Sequence, residues 1–201
     1  MSLVTPPLSL YVHLPWCVRK CPYCDFNSHH QPKQLPVDAY VDALVRDLEQ
    51  DLPLAWGRTV HTVFFGGGTP SLFPPAAIGA ILEAASARLR FAPGAEVTLE
   101  PNTVFAARPP QGIPDIDDSW DIQEACQARI AQAGFEHYEV SAYAKPGRQS
   151  QHNLNYWRFG DYLGIGAGAH GKLTFPHRVV RQTRFRDPAR YMTEALAGSV
   201  M

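Results

Sequence analysis

Three cysteines near the start of the chain are the residues best suited to chemistry. Cys17, Cys21 and Cys24 follow the spacing C-x3-C-x2-C and come directly after a short apolar segment that is typical of a β-strand. Thiolates so close together can hold a metal ion or an iron–sulfur cluster. A chance grouping is disfavoured, because reduced cysteines are usually buried singly as small apolar residues.

Two kinds of metal centre fit the cysteine segment. Three thiolates and one histidine (His13, His29 or His30) would complete a tetrahedral zinc site, but structural zinc sites usually use two separated pairs of ligands, and the sequence has no second cysteine pair. A cubane cluster normally takes four thiolates, so three of them would leave one iron without a protein ligand. An open iron is a binding position, which would make the site chemical and not only structural.

A glycine run follows the second predicted strand. Gly66, Gly67 and Gly68 precede Thr69, and Glu100 ends the next predicted strand. On its own, such a run is typical of a flexible turn between a strand and a helix. In a parallel sheet, however, ligands bind beyond the carboxyl ends of the strands, where glycines let the backbone approach a ligand closely.

Strands and helices alternate in the first half of the chain. The hydrophobic pattern predicts strands over 8–14, 60–65 and 96–100, and helices that begin at about 36 and 75. Such alternation predicts right-handed βαβ units and therefore an α/β fold with a parallel sheet.

The second half is less regular. The sequence predicts a loop over 101–117, a helix over 119–133, a strand over 137–143, a glycine-rich stretch over 160–171 and a helix over 187–197. Cys126 lies among alanines in the first of these helices, and we expect it to be a buried thiol.

Composition excludes several classes of protein. The 201 residues carry a net charge of −1, and 45% of them are hydrophobic, so neither a polybasic nucleic-acid module nor a disordered chain is expected. The longest apolar runs are strand-sized, which predicts no membrane span. The first residues do not resemble a signal peptide, so we expect a cytoplasmic protein with reduced cysteines.

The cysteine segment resembles the signature of the radical S-adenosylmethionine (SAM) enzymes. The resemblance includes the spacing of Cys17, Cys21 and Cys24 and the presence of Tyr23 before the last of them. It implies that the three thiolates ligate a [4Fe–4S] cluster and that SAM chelates the fourth iron through its amino and carboxylate groups. It also implies a (βα) radical SAM barrel.

The flanking residues narrow this resemblance to one branch. Segments 11–17 and 24–28 are similar to the branch that contains oxygen-independent coproporphyrinogen III oxidase and the haem chaperone HemW. The oxidase has a further cysteine where this chain has Phe26, so the HemW type is favoured and the decarboxylating oxidase is the alternative. A zinc-binding structural module remains the alternative from another class.

The same resemblance assigns roles to residues outside the cysteine segment. It implies that SAM contacts the segment Gly66-Gly67-Gly68-Thr69 and Glu100, with Tyr11 and Tyr23 as further cofactor-binding residues.

A second motif resembles HemW-type proteins. The segment His152-Asn153-Leu154-Asn155-Tyr156-Trp157 matches a His-Asn-x-x-Tyr-Trp pattern whose histidine is implicated in haem binding. Neutral imidazole is a common axial ligand of haem iron, and the aromatic pair could cover a macrocycle. The alternative is a loop histidine bonded to the backbone, and His170 is a weaker candidate. The implied partners are haem or a porphyrin and a haem-accepting protein.

Charge is segregated along the second half. Residues 101–144 hold two basic residues against seven acidic ones, a net charge of −5. Residues 145–190 hold nine basic residues against two acidic ones, a net charge of +7. Solvated faces would explain both segments, and an anionic ligand such as the porphyrin propionates would explain the second.

The resemblance breaks at one place. In relatives, two similar strand ends are separated by further βα units, whereas here Leu99-Glu100 runs directly into Pro101-Asn102-Thr103-Val104-Phe105. At ~30 residues per βαβ unit, this join would remove on the order of 100 residues. We therefore expect an incomplete barrel, with its first part over 1–100 and the rest over 101–201, lacking the family's C-terminal domain.

The incomplete barrel has consequences for function. We expect cluster assembly to survive, because it needs only the first loop. We expect SAM cleavage to suffer, and we expect unpaired sheet edges to favour a homodimer.

Overall fold

A computed structural model of the chain describes residues 3–20, 24–100, 116–139 and 142–201. Its elements in chain order are β1 (Leu8–Leu14), β2 (Trp16–Cys17), β3 (His29–His30), α1 (Val37–Asp51), β4 (Thr59–Gly67), a 3-10 turn (Pro70–Leu72), α2 (Pro75–Arg88), β5 (Arg90–Leu99), α3 (Ile116–Gln132), β6 (Glu136–Glu139), β7 (Ala142–Ala144), α4 (Gln151–Trp157), β8 (Asp161–Ile165), β9 (His170–Phe175), β10 (Arg178–Thr183) and α5 (Pro188–Leu196).

Six strands form the main sheet, in the order β10-β9-β8-β1-β4-β5. The strands β8, β1, β4 and β5 are parallel, and β9 and β10 continue the sheet as an antiparallel hairpin. The predicted α/β fold with parallel strands is therefore confirmed. Strand β8 lies beside β1, with Ser9 opposite Tyr162, so the two halves of the chain share one sheet.

The two faces of β1 differ sharply. Leu8, Leu10, Val12 and Leu14 are buried on one face, where α1 lies between α2 and α5. Burial of each such side chain contributes about 1.5–3 kcal/mol, so this face is the main core. Residues at the alternate positions, Ser9, Tyr11 and His13, face a cleft on the other side.

The predicted strand over 137–143 is wrong in detail. The structure has two antiparallel strands there, β6 and β7, with residues 140–141 outside the described part of the chain. A hairpin with its own cross-strand pairs, such as His137 opposite Tyr143, satisfies the backbone locally. Most of the predicted loop over 101–117 lies outside the described residues.

Cys126 is also not where the sequence predicts it. The thiol is on α3 as expected, but it is exposed. The physical reason is that α3 packs against β6, while no described residue of α3 belongs to the core of the main sheet. The prediction of a buried thiol is therefore wrong. Within the described ranges, no helix is both long enough and apolar enough to cross a bilayer.

Candidate functional site

The predicted cluster segment and the glycine run meet at the carboxyl edge of the sheet. The Gly68 amide donates to Leu14 O at the end of β1 (2.8 Å), and the Thr69 amide donates to Trp16 O (2.8 Å). Cys17 is the next residue and ends the short strand β2. The fold therefore joins the backbone of these two segments, as a shared cofactor site requires.

Side chains are excluded from the glycine run. A Cβ atom on Gly68 would lie 2.6 Å from Trp16 O, and one on Gly67 would lie 2.5 Å from the His13 ring. Gly67 also has a φ of +105°, in the region that favours glycine. The run is thus a requirement of close packing at this edge and not only a flexible turn.

Two of the three predicted cluster ligands are described. Cys17 and Cys24 are free thiols and half-exposed, and Cys24 Sγ lies 3.6 Å from Ser28 Oγ. Cys21 and Tyr23 lie outside the described residues. Accessible, unpaired thiols beside a bare backbone edge fit a cluster whose open iron binds a small molecule.

The three histidines named for the zinc alternative each make a hydrogen bond, and His13 uses both of its ring nitrogens. His13 Nε2 donates to Asn27 O (2.9 Å), so its Nδ1 accepts from the Tyr11 hydroxyl (2.9 Å). His29 Nε2 donates to Arg186 O (3.2 Å), and His30 Nδ1 donates to Gln31 O (2.8 Å). Among the described residues, which do not include Cys21, no three metal-binding side chains lie together.

Asn27 anchors the cysteine segment to the turn between β8 and β9. Its Nδ2 donates to Ala167 O (2.9 Å) and to Arg186 O (2.8 Å). A Cβ atom on Gly168 would lie 2.4 Å from this amide, so the turn is in direct contact with it. Asn27 belongs to the segment 24–28 that flanks the cysteines, but its sequence context does not predict this anchoring role.

A buried cluster of charged residues binds the turn between β8 and β9 from the side of α1. Arg184 is fully buried and pairs with Asp47 (Nε to Oδ1, 2.7 Å) and with Asp51. The other oxygen of Asp47 accepts from the Gly166 amide (3.0 Å) and from the Tyr191 hydroxyl (2.7 Å). No sequence motif pointed to this cluster, because Asp47 and Asp51 are more than a hundred residues from Arg184 and Tyr191 in the chain.

A cleft of about 730 Å³ lies on the face of the sheet that carries Ser9, Tyr11 and His13, opposite the main core. We call this side the inner face. Aromatic and imidazole rings form much of its wall, including Tyr11, His13, Phe26, His152, Tyr156 and Tyr162. The cleft is within the size range of small-molecule sites. It opens beside the cysteine segment, since Asn27 is also one of its lining residues.

His152 is packed into this cleft from the first turn of α4. Its ring stacks on Phe64 (4.3 Å between centroids, 18° between planes) and lies 6.3 Å from the Tyr11 ring. Its Nδ1 is buried and has no hydrogen-bond partner among the residues that the structure describes. Burial lowers the pKa of His152 to about 4, so the imidazole is neutral near pH 7.

The aromatic pair of this motif is divided. Tyr156 lines the cleft and packs 5.7 Å from the Tyr162 ring, whereas Trp157 lies 6.2 Å from Tyr138 and does not line the cleft. The alternative of a loop histidine is wrong, because His152 is helical. Of the two aromatic rings, Tyr156 is therefore the one placed to contact a molecule in the cleft.

Three further candidate residues lie near the glycine run or the cleft: Glu100, Tyr11 and His170. A Cβ atom on Gly66 would lie 3.3 Å from a Glu100 oxygen, and burial raises the pKa of that carboxyl. Burial likewise raises the pKa of the Tyr11 hydroxyl, which is neutral and lines the cleft. His170 also lines the cleft, and its Nδ1 lies 3.3 Å from Thr183 Oγ1.

Comparison with known proteins defines the class. The family model of the radical SAM superfamily matches residues 11–116, just over half of the chain. A solved structure of similar fold is that of "Coproporphyrinogen III oxidase (HemN) from Escherichia coli", with a TM-score of 0.67 and 15% identity, over 98% of this chain and 71% of that one. The chain is a member of the radical SAM superfamily.

Curated relatives identify the branch. "Heme chaperone HemW" of Escherichia coli is 37% identical, over 93% of this chain and 76% of that protein. "Heme chaperone HemW" of Haemophilus influenzae is 34% identical with the same two coverages. Within the superfamily, the chain belongs to the HemW family.

The alignment with the first of these relatives spans 288 positions, although the chain has only 201 residues. At least 87 positions therefore have no counterpart in this chain. This agrees with the prediction that two strand ends are joined directly. It also explains why the described sheet has fewer parallel strands than a closed barrel requires.

Proposed function

We propose that this chain is a haem chaperone that holds a [4Fe–4S] cluster and SAM at the carboxyl edge of the sheet and haem in the cleft. Radical SAM proteins in general bind such a cluster together with SAM. Cys17, Cys21 and Cys24 would hold the cluster. Haem would be passed from the cleft to an accepting protein, as the names of the relatives suggest.

The observation that supports haem binding most strongly is the state of His152. An axial ligand must be a neutral imidazole, and burial in the cleft keeps this one neutral. Stacking on Phe64 fixes the plane of the ring, and Nδ1 is not used by any described protein group. A structural histidine at this depth would normally have both ring nitrogens satisfied, as His13 does.

The haem assignment is tested by titrating the chain with haem and recording the Soret band. We expect His152→Ala to weaken haem binding about tenfold or more and to change the spin state of the iron, because an axial ligand is lost. His177→Ala, at an exposed histidine outside the cleft, is the matched control. An unchanged spectrum and affinity in His152→Ala would remove the axial role.

The SAM site would use the glycine run and its neighbours. Gly66, Gly67, Gly68 and Thr69 present backbone without side chains, which lets a small molecule approach closely. Glu100 is a partly buried carboxyl beside this run, placed to accept a hydrogen bond from a ligand hydroxyl or ammonium group. The cluster would supply the electron for SAM chemistry when bound; the protein positions both groups and limits water.

Cluster and SAM binding are tested by anaerobic reconstitution followed by iron analysis and EPR with and without SAM. Cys17→Ala and Cys24→Ala should lose most of the bound iron, whereas Cys126→Ala, at the exposed fourth cysteine, should retain it. Added SAM should change the EPR signal of the reduced protein. Zinc without iron or sulfide after this treatment would favour the structural zinc module instead.

The oxidase alternative has less support. The HemN comparison, at 15% identity, shows the fold alone. Phe26 lines the cleft where the oxidase has a further cysteine.

We also propose a cytoplasmic location. The free thiols of Cys17, Cys24 and Cys126 support it, because they are in line with a reducing compartment.

A further inference from the structure

We propose that Arg181 and Arg186 form a carboxylate-binding subsite at the rim of the cleft that holds His152. The ligand that fits is a flat apolar macrocycle with two carboxylates on one edge. This inference rests on the proposed haem function and adds to it the residues that would orient the ligand.

Arg181 stands at the end of an aromatic wall. It lies on β10 opposite Lys172 of β9, which in turn lies opposite Tyr162 of β8, so the three positions form one row across the sheet. The Arg181 guanidinium lies near the Tyr162 hydroxyl, and the Tyr162 ring packs against Tyr156. The guanidinium is therefore held beside ring faces that line the cleft.

Arg186 approaches the cleft from the segment after β10. Its Nε lies 3.4 Å from Asn27 Oδ1, and its backbone oxygen accepts from the Asn27 amide (2.8 Å). Asn27 thus ties Arg186 to the cysteine segment. The remaining guanidinium donors of this exposed side chain are available to a ligand.

The two arginines differ from three others near the sheet. Arg58, Arg88 and Arg184 each pair with a carboxylate of the protein. Across the described ranges, no acidic side chain forms an ion pair with Arg181 or Arg186. Two unpaired guanidinium groups on one cleft are suited to a ligand that brings its own carboxylates.

The charge balance of the cleft supports an anionic ligand. Among the residues that line the cleft, one is acidic, Asp25, and two are arginines, Arg181 and Arg186. Burial lowers the pKa of His13 to about 4, so this ring adds no charge near neutral pH. The wall is largely aromatic and the rim carries the surplus positive charge, which matches a ligand that is apolar over its area and acidic at one edge.

SAM is the other source of a carboxylate, but its chemistry fits less well. It has one carboxylate together with an ammonium and a sulfonium group, so it carries net positive charge at neutral pH. Two guanidinium groups would repel such a molecule on balance. The glycine run, which would hold SAM, is not among the residues that line the cleft.

The test compares haem with its dimethyl ester, in which both carboxylates are neutral. The full chain is titrated with each ligand, as are Arg181→Gln, Arg186→Gln and the double variant. Arg178→Gln is the matched control, because it removes the same charge from the same strand outside the cleft. Each measurement is made at two salt concentrations, because exposed charge pairs are screened.

We expect each single variant to weaken haem binding about two- to fivefold and the double variant about tenfold, values typical of exposed charge pairs. The affinity for the ester should not change in any variant, and Arg178→Gln should match the parent for both ligands. Higher salt should weaken haem binding in the parent and have less effect in the double variant.

Three results would overturn the subsite. One is equal affinity of the parent for haem and ester; another is a double variant that binds haem like the parent; the third is a double variant that loses haem and ester alike. Loss of SAM affinity in the double variant, with haem affinity retained, would reassign the subsite to SAM. Failure of the axial role is a separate result, because His152→Ala should alter the spectrum with haem and with ester.

Discussion

At the scale of single residues, His13 connects the inner face of the sheet to the cysteine segment. Its two nitrogens join Tyr11 of the same strand to the Asn27 backbone, and its ring packs against Gly67. This arrangement uses the neutral ring, with the proton on Nε2, because a carbonyl oxygen can only accept. A second proton on Nδ1 would break the bond from the Tyr11 hydroxyl.

The free energy of unfolding should therefore decrease at acidic pH, where the His13 ring becomes protonated. Burial lowers the pKa of His13 from 6.5 to about 4, so between these values the unfolded chain takes up a proton that the folded chain does not. Stability from this group is fully present above the unfolded pKa and is lost as the pH falls toward about 4. From pH 7 to pH 5 the loss is about 2 kcal/mol.

Urea unfolding of the parent and of His13→Gln at the two pH values checks this prediction. The parent should lose about 2 kcal/mol more than the variant on acidification, whatever the variant costs at pH 7. His152 and the buried carboxyls titrate in both proteins, so they cancel in the comparison. Equal losses would show that His13 is protonated as readily in the folded chain as in the unfolded one.

Gly67 gives a second prediction at this scale. Gly67→Ala should destabilise the chain by about 2–4 kcal/mol, because the new Cβ meets the His13 ring and the backbone is in the left-handed region. The variant should also lose SAM affinity, since the ring and the turn must move apart. Thermal unfolding and equilibrium dialysis with SAM measure the two effects.

Gly79 provides the control for that substitution. It lies in α2, with nothing within 4 Å of an added Cβ atom. Gly79→Ala should stabilise the chain by about 0.5–1 kcal/mol and leave SAM binding unchanged. If Gly67→Ala behaved in the same way, the glycine run would be a flexible turn and not a packed cradle.

Sequence reasoning works at this scale only where a residue's own type carries the chemistry. Cysteine spacing and consecutive glycines are local signals, so both segments could be predicted. Asn27 and Asp47 act through partners 140 and 119 residues away along the chain. Since nothing in their immediate neighbourhood distinguishes them from solvated polar residues, their roles appear only in the folded molecule.

At the scale of elements, the short helix α4 depends on a residue from β5. The Glu96 carboxylate accepts from the backbone amides of Gln151 (3.0 Å) and His152 (3.2 Å). A carboxylate at this end satisfies amides that have no partner within the helix and is favoured by the helix dipole. Glu96 thus holds the turn that carries His152 over the inner face of the sheet.

Glu96→Gln should loosen this helix. We expect a loss of about 1 kcal/mol of stability, because an amide oxygen is a weaker acceptor than a carboxylate. The His152 ring should stack less regularly on Phe64, which would shift its Cε1 proton resonance in the NMR spectrum. Haem affinity should fall with it, by less than in His152→Ala.

Glu83→Gln is the matched control, since Glu83 is exposed on α2 and forms no ion pair within the described part of the chain. This variant should leave the His152 resonance and the stability of the chain unchanged. A normal His152 resonance in Glu96→Gln would show that stacking on Phe64 alone positions the ring.

At the scale of the whole molecule, the parallel strands could be predicted and the order of the sheet could not. Strands β1, β4 and β5 follow from local alternation of strands and helices. Placing β8 beside β1 joins residues about 150 positions apart, as Ser9 and Tyr162 show. The glycine-rich stretch over 160–171 concealed β8 and the start of β9, and no strand was predicted over β10.

The shortened barrel leaves two sheet edges in the described part of the chain, β5 and β10. Unpaired amides and carbonyls on an edge strand can pair with a second copy. Strand β10 carries Arg178 and Arg181, which repel their counterparts in another chain. Val97 on β5 is 51% exposed and apolar, so β5 is the edge that we expect to associate.

We therefore expect a concentration-dependent homodimer, measured by light scattering after size-exclusion chromatography. Val97→Lys should shift the chain to a monomer, because a charge on an edge strand opposes pairing. Val179→Lys makes the same change on β10, where Val179 is 47% exposed, and should leave the dimer intact. A monomeric parent would show that the β5 edge is covered within one chain, and a dimer disrupted only by Val179→Lys would place association at the opposite edge.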